Sequence, residues 1–426
     1  MYFQMKASVD AIAYHIFYFR HSFIQVGYRC ALIKSSKVWE RLRMNQDEFK
    51  VSVVIAHYNA GNYIRKALDS LVRQTMNQDD FEVIIVDDKS TKPLNIIQEY
   101  ESQLKYLRIV VEEQNHGYPS IPRNHGIAKA RGTFIMLMDQ DDNLADDTLL
   151  TFVEFAGDDS DVIIGKYAEG KMYNGTQVPF KNGTNIKDAS IITDHILSTL
   201  APHKMYRRAM LNQYNVRFPD SSYIPVEEDQ VFNMKAYSVS RKISILADKD
   251  YYYWNQREDF GNLGKSSSYT YNEPWKYLNI LSEVFNIIEA SPNWSLAQQS
   301  KLKAMYIGRL FNSSYTTVIE IIKLQKNEQE RETLIAGLRK IINERMDSQS
   351  ISEVRQESRW MVLGIKYGMN DEELSNLETE LFSGEKSLAQ NIQCINGETV
   401  KNLSIHGQIC AIPVDFLKKE KTLGSN

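Results

Sequence analysis

Four consecutive residues have the types and spacing needed for chemistry on a charged substrate. The stretch Asp139-Gln140-Asp141-Asp142 directly follows an apolar run of strand length, residues 133–138. Burying a strand that ends in three carboxylates is costly unless positive charge lies beside it. Hard divalent cations such as Mg²⁺ and Mn²⁺ bind carboxylate oxygens and leave room for phosphates. The stretch therefore indicates a metal–diphosphate site. The alternative is a solvated acidic loop that caps the next helix through Asp146 or Asp147.

Two strands predicted further upstream also end in residues suited to a binding site. The strands are residues 51–55 and 81–86, and the residues that follow them are Ala56, His57, Tyr58, Asp87 and Asp88. An amphipathic helical pattern separates the two strands. Alternating strands and helices are typical of a mostly parallel sheet, whose sites lie at the carboxyl ends of its strands. We therefore expect an α/β fold in which these strand ends face one crevice.

Two more charged groups are candidates for the same crevice. Arg123 lies in a short segment that contains two prolines, which we expect to form a stiff loop. An arginine can form paired bonds to diphosphate or sugar oxygens, or an ion pair with an acidic loop. The stretch Glu227-Glu228-Asp229 precedes an apparent helix. Carboxylates in a first helical turn are commonly caps, so a catalytic role for them needs further support.

These motifs together resemble the inverting family 2 glycosyltransferases of the GT-A fold. The motifs that carry this resemblance are residues 51–55, Tyr58-Asn59, residues 86–90 and residues 139–142. Further stretches resemble the wall teichoic acid glycosyltransferases of Gram-positive bacteria: residues 115–117, 122–124, 164–167, 204–207 and 227–232. The resemblance runs from about residue 50 to 270 and continues weakly beyond. It implies that a UDP-sugar is the donor, N-acetylglucosamine is the sugar, and a polyanionic cell-wall polymer, poly(ribitol phosphate), is the acceptor.

The resemblance also implies roles on the donor side. Asp141 would bind a divalent metal, Mn²⁺ or Mg²⁺, and Asp139 would contact the ribose or the water shell of the metal. Asp87 would accept a hydrogen bond from the ribose or uracil. The other residues expected at the donor are Ala56, Tyr58, Asn115, Arg123 and Gln140. Ala56-His57 departs from the Pro-Thr that usually precedes the aromatic residue, so His57 can instead be a core or edge histidine.

On the acceptor side, the resemblance implies that Asp229 is the general base and Glu228 its neighbour. Burial and a nearby like charge would raise the pKa of such a carboxyl group. Lys204 matches a family lysine and is expected to contact phosphate or the acceptor. Lys265 is a second expected contact, within residues 257–268, a polar, glycine-containing segment that can close over the donor.

Composition and motifs exclude several other classes of protein. The chain has 426 residues, of which 43% are hydrophobic and 24% charged, enough for a large core. Its three cysteines have no disulfide or metal-ligand spacing, and no secretory signal is evident, so we expect a cytoplasmic protein. No G-x-G-x-x-G follows either strand, which argues against a dehydrogenase. A non-catalytic nucleotide-binding scaffold would not need Asp229. A capsular or exopolysaccharide glycosyltransferase that uses UDP-glucose or another UDP-sugar stays open, because it shares every donor feature.

The N-terminal segment, residues 1–49, differs in composition from the rest of the chain. Residues 1–43 contain seven Lys and Arg against two Asp and Glu, a net charge of +5 within a chain of net charge −4. Aromatic residues accompany this charge, which suits a helix lying on the inner, anionic face of the cell membrane. The alternative is a helix packed on the catalytic domain. The negative remainder of the chain argues against nucleic-acid binding.

Three further regions follow in the sequence. We expect the catalytic domain at residues 50–270, a helical region at 271–385 and a small β-hairpin-like appendage at 386–426. Apolar stripes in the helical region, such as Trp360, Val362, Leu363 and Ile365, indicate either core or a self-association surface. Resemblance to trimeric relatives favours a homotrimer.

Overall fold

The computed structural model describes residues 49–168, 178–255, 257, 271–311 and 317–382, and the backbone of residues 392–395, 398–405 and 408–413. The chain divides into two compact units, Met1–Glu48 and Phe49–Asn426. The N-terminal basic segment, Lys265 and most of residues 257–268 lie outside the described residues. Among the described residues, no helix combines the length and the apolar character that crossing a bilayer requires.

A seven-stranded sheet forms the centre of the first half of the fold. In spatial order its strands are β3 (Leu107–Val111), β2 (Phe81–Asp87), β1 (Phe49–His57), β4 (Gly132–Asp139), β7 (Met205–Arg207), β6 (Val162–Gly165) and β8 (Ile243–Leu246). Of these seven strands, β7 runs antiparallel to its neighbours and the others are mutually parallel. Every residue of β2 is buried, as expected for a strand covered on both faces. The predicted α/β class with a mostly parallel sheet is confirmed.

Helices and a small second sheet surround these strands. The helices are α1 (Ile64–Val72), α2 (Asn95–Gln98), α3 (Ser120–Lys129), α4 (Thr148–Ala156), α5 (Arg208–Gln213) and α6 (Glu228–Val239). Helix α1 buries Ile64, Leu68 and Leu71, as its helical period predicts. Strand β5 (Asn143–Leu144) pairs antiparallel with β9 (Tyr252–Tyr253). This pairing holds the chain immediately after the acidic end of β4.

The segment around Arg123 is a helix, so the prediction of a stiff loop was wrong. Pro122 lies in the first turn of α3, where the N–H that proline lacks would have no helical partner. The backbone N–H of Arg123 already donates to the carbonyl of Pro119 at 2.9 Å. Gly126 lets α3 lie close to β1, since a Cβ there would overlap Cγ1 of Val54. The helix thereby brings Arg123 to the strand ends.

The C-terminal half is helical, as predicted. Its helices are α7 (Pro274–Glu289), α8 (Leu296–Phe311), α9 (Val318–Lys323), α10 (Glu328–Arg345), α11 (Ser348–Glu353), α12 (Gln356–Tyr367) and α13 (Asp371–Phe382). Trp360 is 2% exposed, and Val362, Leu363 and Ile365 are fully buried within the chain. These stripes are therefore core of the single chain. They provide no argument for a self-association surface.

The predicted hairpin at the end of the chain contains a third strand. Strands β10 (Ile392–Ile395), β11 (Glu398–Ile405) and β12 (Gln408–Pro413) form an antiparallel sheet in chain order. The predicted turn at Asn396-Gly397 falls between β10 and β11. Sequence analysis treated residues 403–412 as one stretch, although His406 and Gly407 lie between the last two strands in the sequence.

Candidate active site

The polar ends of three adjacent strands meet at one edge of the large sheet. Ala56 of β1 lies between Val86 of β2 and Asp139 of β4 in the strand register. His57, the next residue of β1, is paired with Asp87. Adjacent strands are separated by about 4.8 Å. The strand ends that the sequence placed around one crevice are therefore neighbours.

Three hydrogen bonds hold the buried carboxylate of Asp87. The Nδ1 of His57 lies 2.7 Å from Oδ1, the hydroxyl of Ser90 donates to Oδ1 at 2.5 Å, and the Ser90 N–H donates to Oδ2 at 3.0 Å. Burial lowers the pKa of His57, although the Asp87 carboxylate opposes this shift. A neutral His57 that donates from Nδ1 satisfies both groups. His57 is thus a buried partner of Asp87, and the orientation of that carboxylate is fixed.

The side chain of Gln140 ties the loop after β1 to the loop after β4. Its Oε1 accepts the backbone N–H of Tyr58 at 2.8 Å, and its Nε2 donates to the Tyr58 carbonyl at 3.3 Å. The Tyr58 side chain is 43% exposed. The backbone of Tyr58 is therefore anchored while its ring stays open to solvent, as stacking on a base would require.

Asp88 organises the loop that carries Asn115. Its buried carboxylate accepts the backbone N–H groups of His116 and Gly117 at 3.0–3.1 Å. The side chain of Asn115 donates to the Asp88 carbonyl at 2.7 Å and to its carboxylate at 3.1 Å. Gly117 has a φ of +77°, which suits glycine. Asn115 therefore lies near the end of β2 and holds the loop in place, and its contact with the donor stays a prediction.

Arg123 joins two carboxylates that are far apart in sequence. Its Nη2 lies 2.8 Å from Oδ1 of Asp139, and its Nη1 lies 3.0 Å from Oε1 of Glu228. The guanidinium also lies over the ring of Phe218, 5.1 Å from the centroid. Burial alone would lower the pKa of Arg123, but the two carboxylates outweigh it and raise that pKa. The ion pair, one of the two roles left open by the sequence, is present, and the contact with the donor stays a prediction.

A histidine absent from the predicted site completes the contacts of Asp139. The Nε2 of His203 lies 2.7 Å from Oδ2 of Asp139, and the indole N–H of Trp254 donates to its Nδ1 at 2.6 Å. An indole nitrogen can only donate, so Nδ1 of His203 is the acceptor and Nε2 carries the proton. Burial would raise the pKa of Asp139, but His203 and Arg123 hold it well below its usual range.

The acidic end of β4 fits a hard cation through its carboxylates. Ligand atoms of Asp139, Asp142 and His203 lie within 4.8 Å of one another, a geometry that can hold a metal ion. Burial and then the charges of Asp139 and Asp141 raise the pKa of Asp142, so negative charge is concentrated there. A divalent cation would relieve this repulsion. His203 fits less well, because its Nε2 carries the proton donated to Asp139.

The remaining contacts fix the loop that contains Asp141 and Asp142. Tyr252 donates its hydroxyl to Asp142 at 2.7 Å, and the N–H of Asn255 donates to the same carboxylate at 2.9 Å. The Asn255 side chain donates to the Asp141 carbonyl at 3.0 Å. Asp146 and Asp147 form ion pairs with Arg73 and Lys249, and the side chain of Asp147 does not cap α4. These side chains therefore do not form the acidic capping loop that was the alternative interpretation of the sequence.

The predicted base lies in the first turn of α6, beside Arg123. Asp229 is half-buried, and its carboxylate accepts the N–H of Gln230 at 2.9 Å. Burial raises the pKa of Asp229 well above its usual range, and the charges of Glu228 and Glu227 raise it further. Burial also raises the pKa of Glu228, against the opposing charge of Arg123. A carboxylate with a raised pKa is a stronger proton acceptor once it is ionised.

Lys204 is fully buried between β7 and the aromatic residues beside it. Its Nζ donates to the carbonyl of Ala201 and lies 3.3 Å from the hydroxyl of Tyr167. Burial lowers the pKa of Lys204 to about 7, and the charge of Asp229 opposes the shift. The ammonium is not exposed to a ligand in this conformation. The predicted phosphate contact would therefore require a rearrangement.

Sequence reasoning missed the residues that orient the acidic strand end. His203 precedes the recognised stretch 204–207 by one position, and Tyr252 and Trp254 belong to an aromatic run. A histidine next to a family motif was the available signal. The aromatic residues gave no such signal, because aromatic residues of the core have the same pattern in sequence.

Comparison with known proteins identifies the family. Residues 52–215 match the family described as Glycosyl transferase family 2. The chain is 30% identical over 268 residues to the poly(ribitol-phosphate) beta-N-acetylglucosaminyltransferase TarP of Staphylococcus aureus, and the match covers 61% of this chain and 79% of TarP. The chain belongs to glycosyl transferase family 2.

Two longer relatives of this family 2 chain are also poly(ribitol-phosphate) transferases. It is 36% identical over 288 residues to a beta-glucosyltransferase of Bacillus spizizenii and 32% identical over 313 residues to the beta-N-acetylglucosaminyltransferase TarS of Staphylococcus aureus. These matches cover 66% and 72% of this chain, but 43% and 52% of the relatives. The family 2 chain therefore spans about half the length of both proteins.

Solved structures agree with the family 2 assignment. TarS residues 1–349 in complex with UDP-GlcNAc match with a TM-score of 0.72 and 26% identity, over 85% of this chain and 99% of that chain. The complex of the same fragment with UDP gives a TM-score of 0.70 at 25% identity. The predicted GT-A fold with C-terminal helices is confirmed.

Proposed function

We propose that this family 2 chain transfers a sugar from a UDP-sugar to the ribitol phosphate units of a wall teichoic acid, with inversion. The observation that carries the proposal is the double ion pair of Arg123, which joins Asp139 at the strand ends to Glu228 beside Asp229. It supports a single site in which donor and acceptor chemistry meet. The teichoic acid acceptor is supported by the names of TarP, TarS and the Bacillus spizizenii glucosyltransferase.

In the proposed reaction, an acceptor hydroxyl attacks the anomeric carbon while UDP leaves from the opposite face of the sugar. Asp229 accepts the hydroxyl proton as the new C–O bond forms, and its raised pKa favours that transfer. Arg123 provides fixed positive charge near the donor and holds Glu228 beside the base. Asp87 and Tyr58 orient the nucleoside, with Ala56, Asn115 and Gln140 shaping the loops around it.

The proposal includes a divalent cation, Mn²⁺ or Mg²⁺, at the acidic end of β4. Asp141 would hold it together with Asp139 and Asp142, whose crowded charges support such a site. When bound, the cation would neutralise charge on the leaving diphosphate. His203 would not bind the cation but would orient Asp139 by donating a hydrogen bond from Nε2–H.

N-acetylglucosamine is the sugar that we propose. The similarity to TarS in complex with UDP-GlcNAc supports it. Glucose is the alternative, because a relative of higher identity is a beta-glucosyltransferase. The two sugars differ at the 2-substituent, so a direct comparison of both donors decides between them.

Four parts of the proposal rest on sequence and resemblance. We propose a homotrimer, peripheral contact of residues 1–43 with the inner face of the membrane, and a cytoplasmic location. The basic charge of residues 1–43 supports the membrane contact. Lys265 is proposed as a further contact of the bound substrate.

UDP release with different donors and acceptors tests the function. We expect turnover with UDP-GlcNAc that depends on added poly(ribitol phosphate) and is absent with a neutral polysaccharide. Asp229→Asn should lower kcat roughly 10²–10⁴-fold and leave UDP affinity nearly unchanged, since it removes the proton acceptor at constant size. Asp220→Asn, in an exposed turn, is the matched control. Transfer to a capsular polysaccharide instead of poly(ribitol phosphate) would contradict the proposed acceptor.

A further inference from the structure

The residue that precedes α6 has an unusual backbone and a fully engaged side chain. Glu227 adopts a left-handed conformation with a φ of +57°, which is unfavourable for a residue with a Cβ. Its carboxylate accepts the hydroxyl of Tyr271 at 2.7 Å and also the side-chain amide of Gln230. It makes no cap bond to the helix backbone. Its contacts therefore hold it in a conformation that the backbone alone would avoid.

Those contacts continue into the C-terminal helical region. Tyr306 of α8 donates its hydroxyl to Oε1 of Gln230 at 2.9 Å. The carbonyl of Tyr271, which lies just before α7, accepts the side-chain amide of Gln325 at 2.6 Å. Gln230, Tyr271, Tyr306 and Gln325 are all at most 6% exposed. A buried polar network thus connects the start of α6 to three segments of the helical region.

Two members of the network flank Asp229 in sequence: Glu227 directly precedes α6, and Gln230 directly follows Asp229. The charged groups that act on Asp229 are Glu228 from its own helix, Glu227 just before that helix, Arg123 from α3 and Lys204 from the segment before β7. Tyr167, Tyr206, Tyr237 and Tyr306 also lie within its electrostatic reach. Glu227 differs from the other charged groups because its hydrogen-bonding partner Tyr271 comes from the helical region.

We propose that Glu227 is a positioning residue for Asp229, and that Tyr271, Gln230 and Tyr306 hold it in that role. The helical region then takes part in the transfer reaction through these bonds. This inference rests on the proposed function, in which Asp229 is the base. Glu227 acts in two ways: its backbone conformation sets the direction in which α6 begins, and its negative charge makes Asp229 a stronger base.

Glu227→Gln tests the charge while nearly preserving shape. Removing a negative neighbour lowers the pKa of Asp229, so the acid limb of the pH profile of kcat/KM should move to lower pH. The plateau rate should fall several-fold because the ionised base is weaker. UDP affinity should be unchanged. A lower plateau without movement of the acid limb would overturn the role of the charge.

Tyr306→Phe tests the connection to the helical region. It removes the hydroxyl that holds Gln230, and we expect kcat to fall roughly tenfold with an unchanged KM for the UDP-sugar. Tyr277→Phe is the matched control, because the hydroxyl of this buried tyrosine of α7 donates to the Leu310 carbonyl at 2.9 Å, within the helical region. Equal kcat values for the two variants would overturn the proposed connection.

A measurement that does not depend on turnover separates the inference from the proposed function. A carboxyl group whose pKa is raised on folding loses stabilisation as pH rises between its unfolded and folded pKa values. The stability gained by Asp229→Asn should therefore increase with pH. In a Glu227→Gln background this increase should be smaller and should end at lower pH. An identical increase in both backgrounds overturns the inference. Wild-type protein without acceptor-dependent UDP release contradicts only the proposed function.

Discussion

At the scale of single residues, Arg123 forms ion pairs with two carboxylates of the described site. Two partly buried carboxylates, from β4 and α6, share its one guanidinium. Removing one partner of a buried ion pair typically costs about 3–5 kcal/mol, because the other charge is left unpaired. Arg123 therefore contributes both to the stability of the fold and to the arrangement of the site. A substitution there must be judged by stability and by rate together.

The proposed metal site predicts different effects for two residues that lie close together. Asp141→Asn should raise the Mn²⁺ concentration for half-maximal turnover more than roughly 100-fold, because it removes a charged ligand. His203→Gln should raise it less than roughly tenfold, since the glutamine amide can still donate to Asp139. Turnover after chelation and stepwise addition of Mn²⁺ measures both. Full activity in excess chelator, or equal effects of the two substitutions, would contradict this assignment.

His57 predicts a loss of stability in acid. Its pKa is lowered on folding, so below about pH 6.5 the unfolded chain takes up a proton that the folded protein does not. Its contribution to stability is thus present at pH 7 and is lost as pH falls below about 6.5 towards the lowered pKa of the folded state. His57→Gln should flatten this dependence in denaturant unfolding at several pH values. A pH dependence in the variant equal to that of the wild type would contradict this assignment.

Sequence analysis located the carboxylates better than it located their partners. Asp87, Asp139 and Asp229 were recognisable because each follows or begins a regular element. Their further partners come from other segments: His203 reaches Asp139 from the segment before β7, and Trp254, which follows β9, donates to His203. Such contacts depend on how loops fold over the sheet, which periodicity does not encode.

At the scale of elements, the closeness of α3 to β1 determines where Arg123 lies. The prediction of a loop was wrong because two prolines at the start of a helix cannot be distinguished in sequence from two prolines in a loop. The pattern of a parallel sheet was far stronger, since apolar runs of strand length alternate with an amphipathic helix. Long periodic elements were therefore predictable, whereas the short helix that aims the guanidinium was not.

Gly126→Ala tests this element directly. The new Cβ would overlap Val54, so α3 must move away from β1 at a cost of about 1–3 kcal/mol. Displacement of Arg123 should also reduce turnover. Gly308→Ala is the control in a helix, because its Cβ would lie 3.7 Å from the nearest atom of Val354. That variant should be as stable as the wild type or up to about 1 kcal/mol more stable. Denaturant unfolding and kcat are measured for both, and equal effects would contradict the close-packing argument.

At the scale of the whole molecule, the helical region is a packed part of the unit that holds the site. Tyr306 of α8 reaches Gln230 of α6, and Asn279 of α7 donates to the carbonyl of Tyr223. The sequence predicted helices here but could not say what they cover, because a buried stripe and an interface stripe have the same period. The burial of Trp360 and its neighbours decides in favour of core.

The homotrimer can be tested separately from this core. Light scattering on the intact protein should give three times the mass of one chain. Trp360→Ala should lower the free energy of unfolding by about 3–5 kcal/mol, since it empties a buried site. Under conditions in which the variant stays folded, its mass should be unchanged. A monomeric mass for the intact protein would contradict the trimer, and dissociation of the folded variant would return Trp360 to an interface role.

The hydrogen bond between Tyr306 and Gln230 has a consequence for the order of events during translation. It joins residues 76 positions apart, and the earlier one lies beside the proposed base. A ribosome that adds 5–20 residues per second needs roughly 4–15 s to extend the chain from one to the other. During that interval the strand ends and Asp229 have already been synthesised, but the tyrosine that holds Gln230 has not. Under the proposed function, a nascent chain would therefore acquire the polar strand ends first and its full turnover only seconds later.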